Sequence, residues 1–140
     1  MEKNLKMIKQ EYQQFINNIP SYLTKMKSVL NKDKLEYNFD EIEMVFDIYF
    51  NHYKAPEQIG LSYNDLELTL YAYMGEAFIF HQGGEWSLNT IKTDKAYGSP
   101  TIIKWGGKDY PWSRISPKIW KIRIEKYGDD DMKPAKDIFA

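Results

Sequence analysis

Residues 62–86 read SYNDLELTLYAYMGEAFIFHQGGEW, and the change of pattern inside this stretch decides the fold class. Ser62 followed by Asp65 is a helix start, a hydroxyl N-cap with an acid in the first turn. Leu66, Leu70, Tyr73, Met74 and Ala77 then recur along one side, which predicts an amphipathic helix. Gly75 sits inside that pattern, where glycine costs about 1 kcal/mol relative to alanine, so close approach of another backbone is expected there. Gly83-Gly84 ends the helix, because glycine takes the positive φ of a C-terminal turn without strain. Directly beyond, Glu85-Trp86-Ser87-Leu88 alternates with the period of a half-buried strand. The stretch is a joint between a helical half and a half of short strands and turns.

Upstream, Leu5, Ile8, Tyr12, Phe15, Ile16 and Ile19 fall at mostly three- and four-residue steps and predict a helix over residues 3–18. Pro20 punctuates it, and Ser21 is the expected cap of a second helix carrying Leu23, Met26, Val29 and Leu30. Residues 31–39 read as an extended connection. Asp40 with Glu43 resembles a capping box ahead of Ile42, Val45, Phe46, Tyr49, Phe50 and Tyr53, which predicts a helix over residues 41–54. Pro56 and Gly60 mark a loop.

Downstream, residues 101–105 predict a second strand, and Tyr97-Gly98-Ser99-Pro100 a turn before it. Gly106-Gly107 suits a tight hairpin onto residues 109–112. Ser116-Pro117, a cap followed by proline at the first helical position, opens a helix over residues 117–127 that would bury Ile119, Trp120, Ile124 and Tyr127. The expected fold is α+β: an N-terminal layer of about four helices packed on a small antiparallel β-sheet, with a C-terminal helix. Residues 1–140 are read as a single domain, with 129–140 a frayed tail or one more turn docked by Ile138 and Phe139.

A chain of 140 residues, 43% hydrophobic and 28% charged, is long enough to bury one core without staples. With no cysteine, disulfides, thiolate metal sites and thiol nucleophiles are excluded. The N-terminal MEKNLKMIKQEYQQ has no apolar core of a signal peptide, and no apolar run approaches the roughly 18 residues of a membrane span. The expectation is a cytoplasmic protein with no membrane partner. Net charge is −1, but it is unevenly distributed. Residues 1–34 sum to +4, residues 35–67 to −7, residues 68–100 to −1 and residues 101–140 to +3.

Few residues offer chemistry. His52 and His81 belong to no metal-ligand spacing, so no metal or cofactor is expected. Gly107-Lys108 lacks the remainder of a phosphate loop, and neither a dinucleotide-binding nor a hydrolase-elbow motif occurs. Glu76, between apolar or small neighbours, could be a general base with a raised pKa. The simpler reading is an acceptor for Trp86, a tyrosine or the glycine turn. Glu76, His81 and Trp86 together are the candidate pocket of a small hydrolase or ligand-binding protein. Glu36, Asp40, Glu41, Glu43 and Asp47 crowd one short segment with no base among them. Most such runs are simply solvated; the functional alternative is a docking surface for a basic partner. Arg114, Lys118, Lys121, Arg123 and Lys126 make the last helix basic, without any nucleic-acid recognition motif. Exposed aromatics such as Trp112 would favour self-association, and a monomer or weak homodimer is expected.

Tyr73-Met-Gly-Glu76, Gly83-Gly-Glu-Trp86, Tyr97-Gly-Ser-Pro100 and the proline-started helix of residues 117–128 occur in that order. Together they resemble small bacterial domains of uncharacterised activity that sit among toxin-immunity and stress-associated genes. The resemblance spans residues 35–128 and departs from the pattern at Trp120, Ile122 and Ile124. It implies a helical layer on a small antiparallel sheet and a protein that works by binding rather than catalysis. It further implies a cognate protein toxin as partner. Many such toxins are basic nucleases, which an acidic face would suit. On this reading the contact residues are Glu36, Asp40, Glu41, Glu43 and Asp47.

Overall fold

The Ser62 hydroxyl accepts the Asp65 N–H at 3.1 Å and starts a helix, Tyr63–Gln82, that Gly83 closes. The computed structural model describes residues 4–106 and 115–127. In chain order its elements are α1 (Leu5–Asn17), α2 (Ile19–Leu30), α3 (Phe39–His52), α4 (Tyr63–Gln82), β1 (Glu85–Leu88), β2 (Pro100–Ile103) and α5 (Pro117–Tyr127). The α+β class, the N-terminal helices, the small antiparallel sheet and the C-terminal helix are as expected. The hairpin onto residues 109–112, Gly107-Lys108, Trp112, Arg114 and the tail 129–140 lie outside the described residues.

Helix α4 is more central than its sequence pattern implies. Instead of one apolar stripe, every residue from Thr69 to Gly75 is buried. The reason is that neighbours pack against it from several sides: α2, α3, α5 and β2 all contact it. Tyr71 and Ala72 join Phe15, Ile19 and Tyr22 in one apolar cluster. Leu66, Leu70, Tyr73, Met74, Ala77 and Phe78 join the larger one with α2, α3 and Ile102. Trp86 packs against both clusters. Its indole, rather than the backbone expected, explains Gly75: a β-carbon there would overlap the six-membered ring of Trp86. The same ring meets Phe15 edge-on at 5.3 Å.

Strands β1 and β2 pair antiparallel, with Glu85 opposite Ile103 and Leu88 opposite Pro100. Gly84, at φ 104, lies so close to the Ile103 carbonyl that a side chain would clash with it. Ile115 adds an antiparallel bridge to Ile102 with bonds of 2.8 and 3.0 Å. Between the strands, the buried Asn89 organises the return: its N–H reaches the Ser99 carbonyl at 3.1 Å, and its carbonyl accepts the Gly98 N–H at 2.8 Å.

Three expected boundaries shift. Helix α2 begins at Ile19, with Pro20 inside its first turn, so Ser21 is not the cap. Proline is tolerated there because first-turn N–H groups have no intrahelical acceptor. Helix α3 is capped by Asn38, whose Oδ1 accepts the Glu41 N–H at 2.8 Å, not by Asp40. Strand β2 spans Pro100–Ile103 rather than 101–105, since Lys104 turns to a left-handed φ of 58. No helix among the described residues is long and apolar enough to cross a membrane.

Candidate functional site

The inward stripe of α3 carries Glu41, Ile42, Val45, Phe46 and Tyr49, so one acid shares the face that docks on the core. Glu41 is 1% exposed. Its expected place on an acidic surface is therefore corrected. The carboxylate accepts the backbone N–H groups of Glu36 and Tyr37, each at 2.9 Å, and the Tyr73 hydroxyl at 2.7 Å. It also takes the Lys32 ammonium in an ion pair. Burial alone would raise the pKa of Glu41, but these donors outweigh it and hold the group below the ordinary carboxylate value. Lys32 is correspondingly raised, first by its hydrogen bond to Glu41. Glu41 thus ties the 31–38 connection to α3 and α4, which is a structural task.

The other four acids remain outside. Asp40, Glu43 and Asp47 are exposed at three- and four-residue steps along α3, with Met44 between them 43% exposed. None of the three forms an ion pair with any described residue. Glu36 is exposed as well, 3.6 Å from Lys32 and accepting Asn38 Nδ2 at 3.2 Å. The surface left by this correction is a single helical stripe of three acids and a methionine.

Glu76, His81 and Trp86 do not converge on one set of atoms. Glu76, half-buried, accepts a long 3.4 Å hydrogen bond from the Trp86 indole. His81 turns to the Tyr37 carbonyl, with Nε2 2.5 Å from that oxygen, and its ring meets Phe80 edge-on. Glu85 lies 3.5 Å from Lys104. His52 Nδ1 lies 3.4 Å from Gln58 Oε1. Among the described residues no group of three or more His, Cys, Asp or Glu side chains could hold a metal ion.

The basic character of α5 is also reduced. Lys121 is 7% exposed, its ammonium 3.5 Å from Glu67 and 3.7 Å from Glu125, and 5.6 Å above the Tyr49 ring. Tyr71 donates to the same Glu67 oxygen at 2.6 Å. Lys118, Arg123 and Lys126 stay exposed, and Arg114 lies outside the described residues. Ile124 is buried as expected, whereas Ile119 and Trp120 are only half-buried.

No protein-family model matches the chain, and neither a curated protein nor a solved structure matches it.

Proposed function

We propose that this protein acts by binding: an immunity-type protein of the cytoplasm that neutralises a cognate basic toxin through the exposed acidic stripe of α3. The observation that carries the reading is that Asp40, Glu43 and Asp47 stand exposed on one side of a helix whose opposite side is fixed in the core. Their charges are not consumed by neighbouring cations among the described residues, so they are available to a partner. Met44, exposed between them, supplies apolar contact at the centre of the stripe. A rigid helix with a charged rim and an apolar centre follows the pattern of protein–protein interfaces. On this reading the contacts are Asp40, Glu43 and Asp47 on the stripe, with Glu36 exposed just ahead of the helix, and Glu41, being buried, is not among them.

The test uses the product of the neighbouring gene, co-expressed and then presented to the purified protein in stopped flow. Asp40→Lys, Glu43→Lys and Asp47→Lys combined should slow association about 10- to 100-fold at low salt, with the gap closing as salt screens the field. An unchanged rate at low salt would show that this stripe is not the docking surface.

A further inference from the structure

Phe80 is 65% exposed, the greatest value among the exposed large apolar side chains of the described residues, yet it is held in place. Its ring lies 5.4 Å from that of Tyr37, and Tyr37 lies 5.4 Å from Tyr73. The three rings run as a row from the core to the surface. Tyr37 itself sits at φ 55, a left-handed conformation unfavourable for a bulky L residue. It is kept there from both sides, by its N–H to Glu41 and by its carbonyl facing His81. Strain of this kind persists only where the surroundings over-determine it. The Tyr37 ring stands beside that of Phe80, tilted 40° to it.

Two acids flank the aromatic pair in sequence, one of them, Glu36, 3.6 Å from the Lys32 ammonium. Glu36 precedes Tyr37 with a side chain 58% exposed. Glu76 lies one turn before Phe80 on α4, on the same side. Burial and, next, the Glu76 charge push the Tyr37 phenol up to about 12. Aromatic faces attract cations within about 6 Å. The planar guanidinium both stacks on rings and is matched by carboxylates, which an ammonium does less well. A phosphate-bearing partner would be repelled by the same acids.

We propose that Tyr37 and Phe80, edged by Glu36 and Glu76, form a seat for an arginine side chain presented by a basic protein partner. The seat is close in sequence to the acidic stripe, Asp40 following Tyr37 by three residues, and the proposal rests on the binding reading above. Arginine supplies the specific contact, and the α3 acids supply the long-range attraction.

The test titrates a short peptide of alternating glycine and arginine, and its lysine counterpart, into the full chain followed by NMR. The arginine peptide should shift the ring signals of Phe80 and Tyr37. Phe80→Ala and Phe80→Leu should each weaken the arginine peptide roughly 2- to 5-fold, the range for an exposed cation–π contact, and the lysine peptide less. Because Phe80 is exposed, both variants keep the fold, which their thermal melts check; the leucine variant retains apolar bulk without a ring. If both leave arginine binding unchanged while the Asp40→Lys, Glu43→Lys, Asp47→Lys combination weakens it, the seat is overturned and the acidic stripe stands. If neither set has an effect, both readings fall. Light scattering that showed a wild-type dimer lost in Phe80→Ala, without a peptide effect, would assign Phe80 to self-association and also overturn the seat.

Discussion

The Tyr73 hydroxyl donates a 2.7 Å hydrogen bond to Oε1 of Glu41, 32 residues earlier in the chain. Tyr73 belongs to the central helix and Glu41 to the helix that carries the acidic stripe, so this bond sets how the stripe is presented. The same carboxylate anchors the backbone of residues 36 and 37. Core packing, the strained Tyr37 and the outer surface are therefore linked through one buried acid.

Replacing that acid should be costly. Glu41→Gln keeps the volume but puts an amide N–H₂ where donors already converge, and it leaves Lys32 without its buried counter-charge. The expected loss is about 2–4 kcal/mol, below the 3–5 kcal/mol of a fully buried pair because the Lys32 side chain, 24% exposed, can hydrate. Urea denaturation followed by circular dichroism measures it. A change below 1 kcal/mol would mean that the bonds around Glu41 contribute little net stability.

The pH dependence has a definite sign. Glu41 is depressed in the folded state, so its stabilisation is present above the unfolded carboxylate value of roughly 4.3 and fades as pH falls through the lower folded value. Wild type should lose stability steeply below about pH 4.5, and Glu41→Gln should show a shallower acid limb. At the other end, burial and then the carboxylates of Glu67 and Glu41 raise Tyr71 and Tyr73 respectively. Their contribution is complete below roughly pH 10 and is lost as pH rises beyond it. Absorbance at phenolate wavelengths should therefore rise for these rings only together with unfolding.

How much of this was readable beforehand follows from whether the cause is local. The Ser62 cap, the glycine stop at Gly83, strand β1 and the proline start at Pro117 are short-range devices, and each stands where its residues put it. The fate of Glu41 is not local. In sequence it is one acid among five, and its burial depends on which register of α3 faces the core. The signal was present: Glu41 is one residue before Ile42 and four before Val45, on the apolar stripe. Asn38 with Glu41 also competes as a cap with Asp40 and Glu43, and the inward stripe selects the former. Lys121, three residues before Ile124 on the same side of α5, was masked similarly by its charge. Gly75 advertised a close approach, but only the pairing of β1 with β2 brings Trp86 across to it. The aromatic surface of Tyr37 and Phe80 left no periodic trace, because it joins a loop residue to a helix residue.

Gly75→Ala tests that joint. In an isolated helix the change would help by about 1 kcal/mol, whereas here the new methyl enters the space of the Trp86 ring. Overpacking of this kind costs about 1–3 kcal/mol, so the clash prevails. The variant should melt lower and shift the tryptophan emission, and Trp86→Leu in the same chain should recover part of the loss. A variant as stable as wild type would show that the indole moves aside freely.

Thr69→Val should do the opposite. Thr69 is 0% exposed and its hydroxyl has no hydrogen-bond partner among the described residues. A methyl of similar size removes an unsatisfied polar atom, which in proteins costs about 1–3 kcal/mol to bury. A gain of about 1 kcal/mol is expected, raising the Tm by roughly 2–6 °C for a domain of this size. Calorimetry decides it, and a lowered Tm would point to a structural role for the hydroxyl.

Lys121 separates charge from packing in the attachment of α5. Its stem is buried, and its ammonium faces Glu67, Glu125 and the Tyr49 ring. Lys121→Met keeps most of the apolar stem. Glu67 then retains the Tyr71 hydroxyl, and Glu125 is open enough to hydrate, with a side chain 39% exposed. The cost should accordingly be modest, about 1–2 kcal/mol, below the 3–5 kcal/mol of a fully buried pair that loses one member. Lys121→Glu brings three carboxylates together beside a ring whose face is also negative, and should detach α5 from α4. Hydrogen exchange reads the difference: amides of α5 stay protected in the methionine variant and exchange early in the glutamate variant, while those at the centre of α4 lose protection in neither order of magnitude nor sequence ahead of α5. Equal protection of α5 in both variants would show that its docking depends on Ile124 and its apolar neighbours and not on the Lys121 charge.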